Sequence, residues 1–341
     1  MKKRATIRDI ASEAGVAVST VSRYINSNGY VEEETGKKIA EAIRKLDYRP
    51  NRLARGLKTS STKNIVLIVP DIQNPFYSTM GVVSQRLLKE QGYTLSLFNT
   101  FGNMKEEMDS VKSAVMMGTD GVILAGGHFY SEVKEMLLGL EVPVILANGI
   151  DTDLFDVVLC DEGESTYMAT RYLMEQGHEK IAFVGAAVNS QIGKNRENGY
   201  RRALEEAGIS TDSKYVFIMG NVLDSDAGRK AGYYFSALKE RPTAVCCAND
   251  LIALGVYQAC SEMGLRIPGQ ISVTGVDNII FSDLCNPKLT TITNDSAEYA
   301  RIFVEALLER LNGKYAGKPR KYRIQRELII RDSVEKVISA G

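Results

Sequence analysis

The stretch TIRDIASEAGVAVSTVSRYIN, residues 6–26, decides the fold of the N-terminal part of the chain. Residues 7–14 predict a short helix, because apolar side chains recur there at helical spacing: Ile7, Ile10, Ala11 and Ala14. Thr6 followed by Asp9 is typical of a capping box, which satisfies two backbone N–H groups at a helix start. Gly15 predicts the helix end, because glycine adopts the left-handed conformation without a Cβ clash.

A second short helix is predicted directly after this turn, with Val21 and Ile25 facing inward. Its outward residues are small or hydrogen-bonding: Val18, Ser19, Thr20, Ser22 and Arg23. Two short helices around a glycine turn are typical of a helix-turn-helix, whose second helix enters the major groove of DNA. The alternative is a helical hairpin that only caps a larger domain.

A third helix is predicted to end near Leu46, and the segment after it marks a domain boundary. Residues 51–57 (NRLARGL) are basic and amphipathic, but they are too short for a stable helix and are interrupted by Gly56. This segment is either a plain linker or one that folds on binding. The polar run KTSSTK at 58–63 separates it from the rest of the chain. We therefore expect a headpiece over 1–50, a hinge and linker over 51–62, and a larger domain over 63–341.

The charge distribution favours a nucleic-acid contact at the N-terminus. The chain of 341 residues carries 42 Lys+Arg and 42 Asp+Glu. Residues 1–62 hold 13 basic and 7 acidic residues, a net charge of +6, so the remaining 29 basic and 35 acidic residues carry −6. A basic module on an acidic body suits a module that contacts a polyanion.

Several classes of protein are disfavoured by the sequence. The start MKKRATIRDI lacks the apolar core of a signal peptide, and no run approaches the roughly 18 apolar residues of a membrane span. The five cysteines lack metal-ligand spacing, which is typical of reduced thiols in a cytoplasm. We expect a cytoplasmic protein, nucleoid-associated when bound to DNA, without membrane contact, metal or cofactor.

From residue 64 onward the sequence alternates between strand and helix patterns. Residues 65–69 (IVLIV) form a continuous apolar run of the buried parallel-strand type. Further alternating segments continue to residue 146, and a second series runs from residue 165 to residue 276. The fold class predicted is α/β: a helix-turn-helix headpiece followed by two doubly wound lobes. The tail from residue 289 is expected to cross back between the lobes.

Ligands of open α/β sheets bind beyond the carboxyl ends of the strands. The residues at those ends are carboxylates, amides, one arginine and aromatic rings, a set that suits a small polyhydroxylated ligand. For an Asn or Asp at such a position, the alternative is that it merely caps the next helix. The candidates are Asp71, Asn74, Phe76, Tyr77, His128, Asn148, Arg196, Asn249, Asp277 and Phe281.

The N-terminal motifs AT-I-DIA, AGV, STVSR, V-EET and YRPN-LAR-L resemble the DNA-binding headpiece of the lactose/galactose repressor family. The resemblance implies that residues 51–57 are a hinge helix that orders on DNA in a dimer. Leu57 occupies the position of the leucine that wedges into the minor groove and kinks the duplex. Base or phosphate contacts are expected from Val18, Ser19, Thr20 and Arg23, and backbone positioning from Thr6, Asn26, Tyr48 and Asn51.

This headpiece departs from the family pattern in ways that lower its expected stability. Ala17 stands where a capping serine is usual, and Glu32 replaces another cap. A lost cap costs about 1 kcal/mol. Gly36 inside the third helix costs about as much. We expect a marginally stable isolated headpiece.

The larger domain resembles the effector domain of the same family, which is akin to periplasmic sugar-binding proteins. The motifs include V-PDI-NPFY, KIAFVG, CAND, IPG-ISV-G-DN and LTTI. Arg196 matches the effector-gripping arginine, Asp277 the ligand carboxylate and Asn249 an effector-binding amide. Asn148 stands where many relatives have Asp, and Asn294 where several have Gln, so the effector is expected to differ from lactose-like and purine ligands or to sit differently.

An enzyme is disfavoured. The sequence contains neither a dinucleotide-binding GxGxxG, nor a P-loop, nor a G-x-S-x-G elbow. His178 in a helix-to-strand turn fits a structural role, and no nucleophile is evident beside His128.

We therefore expect a transcriptional repressor that binds a pseudo-palindromic operator as a homodimer and is controlled by a sugar or sugar derivative held between the lobes. One alternative is a corepressor-dependent regulator that responds to a nucleobase or a partner protein. A remoter one is a transport-associated sugar-binding protein, which would need an export signal and have no use for a helix-turn-helix.

Overall fold

The computed structural model describes residues 5–26, 29–48, 61–126, 131–147, 149–185, 190–220 and 223–337. The chain divides into two compact units, Met1–Thr62 and Lys63–Gly341. Asn51, Leu57, His128, Asn148 and the side chain of Asn26 lie outside the described residues.

The described part of the first unit contains three helices: α1 (Ile7–Ala14), α2 (Val18–Asn26) and α3 (Glu33–Lys45). The predicted capping box is present, since Thr6 Oγ1 accepts from the backbone N–H of Asp9 at 3.4 Å and Asp9 accepts from the backbone N–H of Thr6 at 2.7 Å. Gly15 ends α1 in the left-handed conformation, with φ +66°. The core of this unit is apolar and consists of Ile10, Ala11, Val21, Ile39 and Ala42.

Gly36 has a packing role that the sequence did not reveal. It is buried in α3, and a Cβ there would lie 3.1 Å from Cε2 of Tyr24 on α2. The absent side chain thus makes room for the Tyr24 ring. The helix cost of glycine is offset by this contact between helices.

The second unit has two lobes, each built on a six-stranded sheet. The first sheet has the order β11-β5-β4-β3-β1-β2. Its strands are β1 (Asn64–Val69), β2 (Thr94–Asn99), β3 (Gly121–Ala125), β4 (Val144–Ala147), β5 (Asp156–Leu159) and β11 (Lys321–Arg323). Its helices are α4 (Pro75–Glu90), α5 (Met104–Met116), α6 (Ser131–Leu138) and α12 (Ser296–Leu311).

The second sheet has the order β12-β10-β9-β8-β6-β7. Its strands are β6 (Ile181–Gly185), β7 (Val216–Ile218), β8 (Ala244–Cys247), β9 (Ser272–Asp277), β10 (Thr290–Thr293) and β12 (Leu328–Ile329). Its helices are α7 (Glu162–Glu175), α8 (Gln191–Glu206), α9 (Ser225–Ala237), α10 (Asp250–Glu262) and α11 (Ile280–Leu284), with a 3₁₀ turn at Ser213–Tyr215.

The strand pairings are parallel except β10–β12, which is antiparallel. Strand β1 is almost wholly buried and pairs with β2 at Asn64↔Thr94 and with β3 at Ile65↔Gly121. A continuous apolar strand takes such an interior position because helices cover both faces of a parallel sheet. The predicted α/β class with a helix-turn-helix and two lobes is confirmed.

The chain passes between the lobes three times, at 160–161, 294–295 and 324–327, because the tail places β10 and β12 in the second sheet and β11 in the first. The predicted crossing of the tail is therefore confirmed. The sequence patterns had not indicated β5, a strand of only four residues. They also placed the start of α7 at residue 165, whereas Asp161 caps it and Glu162 begins it.

No helix among the described residues is long and apolar enough to cross a membrane.

Candidate functional site

The exposed side of α2 is the candidate nucleic-acid surface of the first unit. Val21 is fully buried, which fixes the inner side of the helix, while Ser19, Arg23 and 42 % of Val18 are exposed, and Thr20 is partly exposed. Hydroxyl and guanidinium groups on one exposed helix side suit contacts with base edges and phosphates.

The other headpiece residues have mixed environments. The Thr6 hydroxyl donates to Asp9 Oδ2 at 2.7 Å, so it serves the helix cap. Tyr48 is partly buried and packs against the apolar core. Asn26 is the last residue of α2.

The second unit has a cluster of buried charges where the chain passes between its lobes. Glu162 begins α7 directly after the first passage, and Arg326 lies in the third. Arg196 projects from α8 and Asp277 ends β9. The side chains of these four residues are only 4–5 % exposed. Charges are rarely buried so fully unless they are paired.

Glu162 is the centre of this cluster. Its Oε2 accepts from Arg196 Nε at 2.8 Å and Nη2 at 2.7 Å, and lies 3.0 Å from Arg326 Nη2. Burial by itself would raise the pKa of Glu162, but the two guanidinium groups lower it to about 2. The carboxylate is therefore ionised and acts as the shared counter-charge of both arginines.

Arg196 contacts both carboxylates of this cluster and a backbone carbonyl. Nη1 donates to the carbonyl oxygen of Ala248 at 2.6 Å, and Nη2 lies 3.4 Å from Asp277 Oδ1. Burial opposes its charge, but Glu162 and Asp277 raise its pKa, so it stays protonated. The planar guanidinium is held by partners on three elements and has a fixed orientation.

Asp277 lies at the end of β9 in a strained backbone conformation, with φ +109°. Its Oδ1 also accepts from Asn294 Nδ2 at 3.0 Å, and Asn294 lies in the second passage between the lobes. Burial raises the pKa of Asp277 against the opposing influence of Arg196. The structure thus brings three predicted ligand residues into direct contact: Arg196, Asp277 and Asn294.

Cys160 completes the cluster on the side of the first lobe. Its thiol lies 2.9 Å from Glu162 Oε1, 2.7 Å from Arg326 Nη2 and 2.6 Å from the Tyr299 hydroxyl. Burial, with the charge of Glu162, raises the pKa of this thiol to about 12. The thiol therefore remains protonated and donates to Glu162.

Two aromatic candidates lie near this cluster. The rings of Phe76 and Tyr77 are in edge contact at 5.1 Å, and Phe76 also meets Tyr299 at 5.8 Å. Burial, followed by the charge of Asp277, raises the pKa of Tyr77. The hydroxyl of Tyr77 borders Gly126 at the end of β3, since a Cβ there would lie 2.7 Å from it.

The remaining described candidates are less closely tied to the cluster. Asn74 caps α4 through Phe76 N–H at 3.0 Å, and Asn249 caps α10 through Ile252 N–H at 2.9 Å. Asp71 accepts from the backbone of Gln73 at 2.9 Å, within its own turn. Phe281 on α11 is 46 % exposed. Local capping, the alternative weighed from the sequence, thus applies to both asparagines.

Sequence reasoning missed Glu162, Arg326, Cys160 and Tyr299. The signal for Glu162 was its place just after a strand, but β5 was not recognised. Arg326 and Tyr299 belong to the tail, and they reach the cluster only because the folded chain returns between the lobes. Among the described residues, no group of three or more His, Cys, Asp or Glu is arranged to hold a metal ion.

Comparison with known proteins decides the family. Residues 6–51 match the model of bacterial regulatory proteins of the lacI family, and residues 170–334 match a periplasmic binding protein-like domain. The chain is 35 % identical to the HTH-type transcriptional repressor PurR of Vibrio vulnificus over 335 residues, which cover 98 % of this chain and 99 % of the relative. The chain belongs to the lacI family.

Other relatives agree with this family. The PurR repressor of Mannheimia succiniciproducens is 32 % identical over 338 residues, 98 % of this chain and 99 % of that relative. A transcriptional regulator CelR–cellobiose complex superposes with a TM-score of 0.71 at 26 % identity, over 97 % of this chain and 100 % of that one. The lac repressor dimer bound to operator, with a TM-score of 0.81 at 23 % identity over 98 % of this chain and 100 % of that one, shares the fold.

The protein is accordingly a DNA-binding transcriptional repressor of the lacI family, controlled by a small effector. The helix-turn-helix lies within the part that matches the regulatory-protein model, and the two-lobed unit contains the part that matches the periplasmic binding protein-like domain.

Proposed function

We propose that this repressor binds a pseudo-palindromic operator as a homodimer, with one α2 in the major groove of each half-site. The headpiece would span 1–50, the hinge and linker 51–62 and the effector and dimerisation domain 63–341. The action is that of a regulator in the cytoplasm rather than of an enzyme.

Specific DNA contacts are assigned to the exposed side of α2. Ser19, Thr20 and Arg23 would contact bases or phosphates, and Val18 would meet a thymine methyl group. Thr6, Asn26, Tyr48 and Asn51 would position the headpiece on the backbone. Leu57 would wedge into the minor groove and kink the duplex. The exposure of Ser19 and Arg23 beside the buried Val21 supports this orientation of the helix.

The effector is proposed to be a sugar or sugar derivative bound between the two lobes. The observation that carries this proposal is the direct contact of Arg196, Asp277 and Asn294 at the passages between the lobes. Fixed polar groups with nearby aromatic rings suit a molecule with many hydroxyl groups and an apolar ring face. The wider set of proposed contacts is Asp71, Asn74, Phe76, Tyr77, His128, Asn148, Asn249 and Phe281.

Effector and DNA are coupled because the effector changes the angle between the lobes and so the approach of the two hinge segments. Such coupling is a differential affinity between two states, and it acts equally in both directions. The sign distinguishes an inducer, which weakens operator binding, from a corepressor, which strengthens it. We favour induction.

The test is operator binding by the full-length protein, measured by fluorescence anisotropy at fixed salt on a duplex selected from a randomised library. Sugars, sugar phosphates and nucleobases are added one at a time. A sugar that weakens binding about tenfold, roughly 1.4 kcal/mol of coupling, is the expected result. A nucleobase that strengthens operator binding would show that the effector is a corepressor and not a sugar inducer. Tight DNA binding with no response to any compound would favour control by a partner protein.

A further inference from the structure

The charge balance of the buried cluster carries information about the effector. Two guanidinium groups, Arg196 and Arg326, face two carboxyl groups, Glu162 and Asp277. Glu162 contacts both arginines through one oxygen, at distances of 2.7–3.0 Å. The cationic groups at the passages between the lobes are therefore already neutralised by the protein.

The undescribed stretches of the unit that follow strand ends add no permanent charge, and His128 is the residue there that can gain a positive one. Residues 127–130, 148, 186–189 and 221–222 follow strand ends, and they contain neither Lys, Arg, Asp nor Glu. Every Lys, Arg, Asp and Glu near the strand ends of this unit therefore belongs to the described part of the chain.

A buried anion requires a cation or several N–H donors that are not already engaged, because the loss of its hydration costs several kcal/mol. Arg196 has three of its nitrogen atoms engaged, by Glu162, Asp277 and the Ala248 carbonyl. A phosphate or carboxylate at Arg196 would compete with Glu162 and Asp277 for the guanidinium, and it would lie as a further anion beside the buried Glu162 carboxylate.

An effector with uncharged polar groups would find hydrogen-bonding atoms at this cluster. Asn294, 3 % exposed, has a buried Oδ1 with no hydrogen-bond partner among the described residues, and the buried Nε of Arg326 has none there either. These are one acceptor and one donor beside the same cluster. A hydroxyl group both donates and accepts, and can use such groups without disturbing the ion pairs.

We propose that Glu162 is a specificity-determining residue that restricts the effector to uncharged molecules bearing hydroxyl or amide groups and excludes phosphorylated or carboxylated ones. The inference rests on the proposed function in taking this place as the effector site. Glu162 acts through Arg196: it holds the guanidinium in an internal pair, so that the arginine orients the effector without attracting an anion.

The experiment uses inorganic phosphate as the probe on the full-length protein, by isothermal titration calorimetry at constant ionic strength. The proteins are the wild type, Glu162→Gln and the control Glu164→Gln. Glu164 lies on the same helix, has a 40 % exposed side chain and pairs with Arg202 at 2.6 Å, so its variant makes the same charge change outside the cluster. We expect Glu162→Gln to bind phosphate at least about tenfold more tightly than the other two proteins, about 1.4 kcal/mol.

Two results would overturn the proposal: phosphate binding by the wild type as tight as by Glu162→Gln, or no gain of phosphate binding in that variant. Circular dichroism checks that the variant is folded. If it is not, Asp277→Asn removes the other carboxylate and is expected to gain phosphate binding in the same way; no gain there also counts against the charge-balance argument. Operator binding without effector is measured separately, so that a failure of DNA recognition is distinguished from a failure of this inference.

Discussion

The headpiece and the second unit (Lys63–Gly341), called the effector unit after its proposed role, bury their side chains in opposite ways. The headpiece has an apolar core of Ile10, Ala11, Val21, Ile39 and Ala42 and keeps Arg23, on its candidate DNA-binding helix, exposed. The effector unit also has apolar cores on its sheets, but it buries Glu162, Arg196, Asp277 and Arg326 where its lobes join.

This difference shows how each unit uses its charged side chains. A polyanion is met at the surface, where exposed cations keep their hydration until contact. At the proposed effector site the charges are shielded from water, so they must be paired within the protein. The headpiece can therefore gain affinity for DNA from net charge, whereas we propose that the balanced cluster of the second unit orients the effector.

The largest expected effect is in the effector unit. Arg196→Ala removes the partner of two buried carboxyl groups, and we expect it to lower the free energy of unfolding of this unit by about 3–5 kcal/mol. The measurement is urea denaturation of the full-length protein followed by circular dichroism. Arg202→Ala, on the exposed side of the same helix, is the matched control and should change it by less than about 1 kcal/mol. Equal effects of the two variants would remove the contrast between buried and exposed charges.

The headpiece should respond most to loss of its apolar core. Ile39 is fully buried, and Ile39→Ala is expected to cost about 2–5 kcal/mol, which would unfold a marginally stable headpiece. Operator binding should be lost while the thermal transition of the effector unit is unchanged. Tyr30→Ala is the control, because Tyr30 is 85 % exposed. Retained operator binding in Ile39→Ala would show that the headpiece is more stable than its weak caps suggest.

The pH dependence should belong to the effector unit. Burial, with the nearby charge of Asp277, raises the pKa of Asp250 from 3.8 to about 7. The native state then holds a proton that the unfolded chain releases, so the stabilisation is present in full below about pH 4 and is lost as the pH rises through 7.

Between about pH 6 and pH 8 this loss amounts to roughly 1 kcal/mol, and Asp250→Asn should abolish it. Urea denaturation at several pH values, compared between the wild type and this variant, measures the difference. The control is Asp109→Asn, which changes a half-exposed carboxylate on α5 and should keep the pH dependence of the wild type. If the Asp250 variant keeps it too, another group titrates.

The smallest effect concerns the helix cap of the headpiece. Thr6→Ala removes the side-chain acceptor for Asp9 N–H and is expected to cost about 1 kcal/mol. Hydrogen exchange of the α1 amides should become faster, while amides of the effector unit should not change. Ser12→Ala, at an exposed position within α1, is the control. Equal exchange in both variants would mean that the cap does not limit the stability of α1.

The sequence by itself determined the parts of this protein that depend on local patterns. The capping box of Thr6 and Asp9, the left-handed Gly15 and the apolar run of β1 all follow from neighbouring residues. So does most of the order of strands and helices in the two lobes, but not β5 or the tail strands β10, β11 and β12. The contact between Arg196 and Asp277 agrees with their expected place beyond the ends of strands, whereas Asn294 was indicated only by the family resemblance.

Tertiary structure decided the rest, because the decisive contacts join residues that are far apart in the chain. Gly36 reads as a helix defect until Tyr24 packs over it. Glu162 and Arg326 are separated by more than 160 positions and meet only because the tail returns between the lobes. Local periodicity carries no information on such a pair. The charge of each could be read from the sequence, but their mutual neutralisation exists only in the folded chain.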